Sequence, residues 1–488
     1  MKSLSQALPL VILLAACGSD DNNKTVTEPP IDPPVTNLQY EFNSQLSGYD
    51  DQSSVSYTGQ TARHMLIADL TQKIGGLKRG TTTPIEELEA FFTEQKNDEL
   101  ISAYGSAPFV EQTYGEISSG KDLQGKIAGG YPDPEGGEGS YTGETSRLLE
   151  GRFVGWQTDA VNKPYDLVMA FFARLAVEME SSTNLVIETD TTPDVIEVAY
   201  IDAAARDYKQ LMQKFLLGAV TFSQGTADYL TIVFDAANEQ DGSKAYTTAE
   251  HKWDEAFGYF GAARDMLNYT DDEIAAKGGR DAYKNGYFDS DENGSIDVRA
   301  ELNLGNAVNC AKRDRGTVNL ANPTDYTQQG FEAFYAGRKL LNDASSQSPN
   351  ALTDDQKSEL LGYAETAAQV WEKCIAATVV HYINDLTNDL TIDGVAKVQL
   401  ASGDFVNIAK HYSEMKGFAL GLQFSPYSPF QAEGAFSQFE QLHVLIGDQP
   451  VLPDAGAEQL TQYLSDLAQA RNLLQEIYQF DPEHVANW

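Results

Sequence analysis

Apolar side chains in this sequence recur at helical spacing over long stretches, and that periodicity limits the possible folds more than any other feature. Tyr208, Leu211, Met212, Phe215, Leu216 and Ala219 follow the i, i+3, i+4, i+7, i+8, i+11 pattern of a buried helix face. Leu360, Ala364, Ala367, Trp371, Cys374 and Thr378 alternate steps of four and three, as a bundle helix does. Leu167, Phe171 and Leu175 repeat every four residues, and Leu460, Leu464, Leu467, Leu473 and Leu474 mark a last helix over about 455–479. Thr83-Pro84-Ile85-Glu86 and Thr353-Asp354-Asp355-Gln356 both read as capping boxes, the first with proline at the first helical position. Strand-like alternation is scarce, and Leu185-Val186-Ile187 is too short to found a sheet. The expected class is all-α, built as antiparallel helical bundles.

Glycine-rich segments at 120–145 and 273–295 interrupt the pattern and read as surface excursions. The second falls in a loop-rich insertion, 266–324, between helical halves of about 60–265 and 325–480. The halves share Ala-x-His-x-x-acid, as Ala249–Asp254 and Ala409–Glu414. A shift of one residue instead aligns Trp253 with Tyr412, Glu255 with Glu414 and Gly258 with Gly417, so duplication and coincidence both stay open.

The N-terminus reads as an address. Lys2 precedes an apolar stretch at 7–16, which suits a signal-peptide core and is too short to span a bilayer. Leu14-Ala15-Ala16-Cys17 presents small residues before a cysteine, as lipoprotein processing requires. Residues 1–16 are the expected signal peptide, Cys17 the lipidated residue, and 17–38, with two Pro-Pro pairs, a tether. Residues 39–488 form the folded part. Gly18 is not the aspartate that usually retains lipoproteins in the inner membrane. The expected location is the outer membrane, facing periplasm or cell surface, with two or three acyl chains as anchor. A formal charge of −38 excludes nucleic acid as a partner and suits cations. With Cys17 assigned to lipid, Cys310 and Cys374 remain, either bridged in an oxidising compartment or as two free thiols.

Two patterns carry chemistry. Asp289-Ser290-Asp291-Glu292-Asn293-Gly294-Ser295-Ile296-Asp297 matches the first nine positions of an EF-hand loop. Asp289, Asp291, Asn293, Ser295 (through its carbonyl) and Asp297 supply the oxygens that calcium needs. Ala300 stands where the bidentate glutamate belongs, and Glu301 follows one place later. The alternative is a metal-free polar turn. The second pattern places His251 with Asp254 or Glu255, and His411 with Glu414, one helical turn apart. Two such pairs facing each other would suit iron or another transition metal; otherwise each is a packed polar contact. His381 lies on the stripe of Trp371, Cys374 and Thr378 and reads as a core residue. Zinc-peptidase, serine-hydrolase and phosphate-loop motifs are absent.

The lipobox and the segments HKWDEAFGYFG (251–261), AVNCAKRD (307–314) and KHYSEMKGFALGLQF (410–424) resemble an uncharacterised group of bacterial lipoproteins. That group is similar to the imelysin family and is found beside imelysins and iron-uptake genes. The resemblance implies an all-α, imelysin-like fold of two bundle-like halves over residues 39–480. It also implies an imelysin or outer-membrane transporter as partner. The imelysin signature Gly-x-His-x-x-Glu is matched by Ala409–Glu414 except for alanine in place of glycine. Three functions follow as expectations. The first is a non-catalytic ligand- or metal-binding lipoprotein in an iron-related system. The second is an imelysin-type metal-dependent peptidase with His411 and Glu414 at its centre. The third is a calcium-stabilised structural surface protein with a protein partner.

Overall fold

The computed structural model describes residues 38–80, 83–105, 107–137, 139–148, 150–158, 161–346 and 351–488. The expected signal peptide, Cys17 and all of the expected tether except Leu38 lie outside the described residues. The chain is mostly helical, and among the described residues the strands form only two-stranded antiparallel ribbons. Its main helices are α1 (Thr58–Gly75), α2 (Ile85–Thr93), α3 (Pro164–Glu180), α4 (Tyr208–Leu216), α5 (Thr248–Phe260) and α6 (Gly305–Thr317). They continue with α7 (Tyr326–Ser345), α8 (Asp354–Asp389), α9 (Asp404–Gly421), α10 (Phe436–Ile446) and α11 (Ala457–Tyr478).

Helix α8 is the axis. Its 36 residues span about 54 Å at 1.5 Å per residue. Thr353 caps its start, accepting from the Gln356 amide while the Gln356 side chain accepts from the Thr353 amide. Leu360, Ala364, Ala367, Trp371, Cys374 and Thr378 are all buried, as their spacing requires. Helices α6, α7, α9 and α11 pack around it. Helix α9 then packs on α4, and α4 on α1, so buried residues from Tyr40 to Trp488 form one continuous hydrophobic cluster.

Several local features differ from expectation. Helix α2 begins at Ile85 with Pro84 as its extended N-cap, which leaves Thr83 one residue too far out to cap it. The insertion at 266–324 contributes α6, and Cys310 on α6 is joined by a disulfide to Cys374 on α8. The glycine-rich excursions also anchor in the interior. Ile127, Ala128, Ile274 and Ala275 are buried, and the Ala128 amide donates to the Ala219 carbonyl at 2.8 Å. Helix α4 runs on through two π-helical turns, Leu217–Phe222 and Gln224–Tyr229, buried throughout. There Gly218 meets Gly421 at the end of α9, and a Cβ on Gly218 would lie 2.7 Å from the Gly421 Cα. That contact is backbone against backbone, so Gly218→Ala forces the helices apart. We expect a loss of about 1–3 kcal/mol in urea unfolding.

Next to Trp371, Glu372 is fully buried and accepts hydrogen bonds from the Ser428 and Tyr478 hydroxyls. Burial pushes its carboxyl up to about 8, against those hydroxyls, which pull it down. An acid whose folded-state pKa is raised favours folding fully below its unfolded value, about 4.5. That contribution disappears as pH climbs through the folded value. Glu372→Gln is neutral throughout, so its melting temperature should fall less than wild type's between pH 5 and pH 8.

Candidate functional site

In the acidic loop, three carboxylate side chains bring their ligand atoms together. Carboxylate oxygens of Asp289, Asp291 and Glu301 all lie within 4.8 Å of one another. Backbone geometry builds this convergence. Glu292 and Gly294 take positive φ, which curls residues 289–295 into a tight hook. Its Asn293 and Gly294 amides donate to Asp289 at 3.0 and 2.7 Å. Glu301 is buried and reaches back into the hook. Its Oε1 accepts from the Ser290 amide at 2.6 Å and the Ser290 hydroxyl at 2.7 Å, and its Oε2 from the Asp297 amide at 2.8 Å.

Not every expected ligand joins them. Asp297 is held by Arg299 in a two-point ion pair, Nε to Oδ1 at 2.9 Å and Nη2 to Oδ2 at 3.1 Å. Asn293 turns its Oδ1 to the Ser295 amide at 2.9 Å. No pair of helices frames the loop; its flanks close on each other as an antiparallel bridge between Tyr287 and Leu302. The hook is docked on residues 108–111, where Ile296 exchanges backbone bonds with Pro108 and Val110. Arg299 adds an ion pair to Glu111 at 2.6 Å.

The histidine–carboxylate pairs take separate partners. On α5, His251 Nδ1 lies 3.0 Å from the Ser56 carbonyl, and the ring stacks on Tyr246. Glu255 accepts from Gln60 and pairs with Lys252. Asp254 is fully buried and belongs to a network instead. Arg338 on α7 donates to Asp254 and to Glu250, each at 2.7 Å, and to the Ser54 carbonyl at 2.9 Å. Tyr40 also donates to Asp254, at 2.9 Å. This half of the pattern is packing.

On α9, His411 and Glu414 diverge. Glu414 is fully buried with Lys214 of α4, 3.4 Å away. His411 Nδ1 faces Asp389 at 2.7 Å, and its Nε2 lies 3.9 Å from Asp385. The two side chains therefore do not address one point. Burial pulls the His411 imidazole down, but Asp389, Asp385 and Glu414 outweigh it and leave the pKa raised. His381, expected in the core, is buried and meets Asp385 at 3.3 Å.

With that geometry in place, comparison with known proteins adds a single correspondence. Residues 188–309 match a family described as a domain of unknown function, DUF4856. No curated protein and no solved structure matches the chain. The DUF4856 span holds the π-helical segment, His251, Asp254 and the whole acidic loop, and it ends before His381 and His411. The imelysin resemblance has no counterpart in these comparisons.

Sequence reasoning missed a second polar cluster. Lys416 on α9 is fully buried, 3.0 Å from Asp448, 3.2 Å from His443 Nδ1 and 2.6 Å from the Gly447 carbonyl. Burial pulls its amine down to about 8, against the Asp448 carboxylate. A cavity of about 310 Å³ opens beside it, lined by Gln157, Thr158, His443, Val444, Gly447 and Asp448. No regular spacing joins residues 157, 416, 443 and 448, so periodicity gives no sign of the cluster. A wider groove of about 640 Å³ lies over α2, with Lys73, Phe91 and Lys96 in its wall. Neither opening is lined by His251 or His411.

Lys214 and Glu414 set a test of what α9 contributes. Glu414→Ala strands a buried ammonium, and we expect it to cost about 3–5 kcal/mol in denaturant unfolding. The double variant Lys214→Met/Glu414→Leu should recover most of that loss.

Proposed function

We propose that this chain is a non-catalytic, cation-binding lipoprotein of the outer membrane, with calcium as the ion of the 289–301 loop. The observation that carries the reading is the convergence of Asp289, Asp291 and the buried Glu301 on one small volume. Three carboxylates are hard oxygen donors, and extracellular calcium modules work at millimolar-range affinity. Asp289, Asp291 and Glu301 would hold the ion, which would tie the hook to residues 108–111. Asn293, Ser295 and Asp297 keep outer roles, since Arg299 and local amides occupy Asn293 and Asp297.

Cys17 after a short apolar stretch supports lipid anchoring, and the −38 charge suits a surface rich in counter-cations. A role beside iron-uptake components, with an imelysin or an outer-membrane transporter as partner, rests on the resemblance alone. So does an imelysin-like arrangement of two bundle halves about an EF-hand-like loop. The peptidase alternative has less support, because Glu414 is committed to Lys214.

Thermal unfolding of the mature chain checks the loop. Calcium at a hundredfold excess over its dissociation constant should add about 2.7 kcal/mol of stability, removable by chelator. Glu301→Gln should abolish the shift. A wild-type midpoint indifferent to calcium overturns the assignment.

A further inference from the structure

A second kind of cation site is written across α8 and α9, independent of the acidic loop. Residues 381, 385 and 389 recur every four positions, so His381, Asp385 and Asp389 share one stripe of α8. Helix α9 lies against this stripe and delivers His411 to it. Asp385 Oδ2 then stands between two imidazoles, 3.3 Å from His381 Nε2 and 3.9 Å from His411 Nε2. The other nitrogen of His411 is held by Asp389 at 2.7 Å.

The roles follow from those distances. A carboxylate at Nδ1 favours the tautomer with its proton on that nitrogen, which leaves a lone pair on Nε2, 3.9 Å from Asp385 Oδ2. A lone pair and a carboxylate oxygen repel each other unless a proton or a metal ion lies between them. Asp385 and Asp389 both meet imidazole here, which sets two carboxylates against two rings. The side chains of Asp385, His411 and Asp389 are 17%, 15% and 18% exposed, enough for an ion to enter from solvent. Tyr382 lies near parallel to the His411 ring, with centroids 6.0 Å apart, and limits its rotation.

We propose that His381, Asp385 and His411 form a divalent transition-metal site of two imidazoles and one carboxylate, with Asp389 orienting His411. This donor set suits zinc, cobalt or ferrous iron, and it is softer than the all-oxygen loop at 289–301. Metal binding draws the three ligand atoms about a common point, from the 3.3 and 3.9 Å separations seen here. Three protein ligands leave coordination positions for water or for a ligand presented by a partner.

Cobalt(II) titration of the mature chain, with calcium kept saturating, tests this. One cobalt per chain with visible d–d absorption is expected, displaced by zinc. His381→Gln and His411→Gln should each weaken binding by about a hundredfold or more, and Asp389→Asn by about 10–100-fold. Glu301→Gln should leave cobalt binding unchanged, which separates this site from the calcium loop. No cobalt binding by wild type overturns the proposal, as does binding lost in Glu301→Gln and kept in the histidine variants. X-ray absorption on the wild-type cobalt complex decides even where a variant fails to fold. Two imidazole nitrogens support the site, and a shell of oxygens alone refutes it.

Discussion

The Arg338 guanidinium has no access to water, and two other stretches of chain are arranged to satisfy it. Its donors reach Glu250 and Asp254 on α5 and Ser54 in the segment before α1. Removing such a charge from water is costly, and only a nearly complete set of partners offsets that cost. Helices α5 and α7 are thereby fixed to each other, and the Tyr40 hydroxyl ties the first described residues to the same centre. Lys214 with Glu414 does the equivalent between α4 and α9. These buried pairs specify which helix faces meet within the surrounding hydrophobic cluster.

Helix positions were legible because the apolar residues repeat every three or four places. Leu167, Phe171, Leu175 and the stripe on α8 sit where that spacing puts them. The character of α4 was not legible. Its apolar residues are spaced as one face of an amphipathic helix, yet Gln210, Gln213 and Lys214 are buried too, because neighbours enclose it. Periodicity reports which residues seek the interior; it does not report polar residues that follow them and find partners from remote parts of the chain. The π-helical turns, Leu217–Phe222 and Gln224–Tyr229, have no residue spacing of their own that sets them apart from an α-helix.

The candidate sites divide the same way. Asp289, Asp291 and Glu301 are close in sequence, so their convergence was readable, including the late glutamate. The loss of Asp297 was not, because it depends on Arg299 two residues on. His411 was singled out for the acid one turn along its own helix, but it chose acids from the helix opposite. His381, Asp385 and Asp389 display helical spacing plainly. Only the packing of α9 against them supplies the fourth member.

The docked hook carries one more consequence. Residues 291–294 are exposed at the tip of a loop, the kind of place where proteases usually nick a folded chain. Cleavage requires drawing several residues on each side into an extended conformation. The Tyr287–Leu302 bridge, the Ile296 pairing with 108–110 and the grip of Glu301 all oppose that extraction. An exposed tip on a pinned base resists digestion until its base unravels.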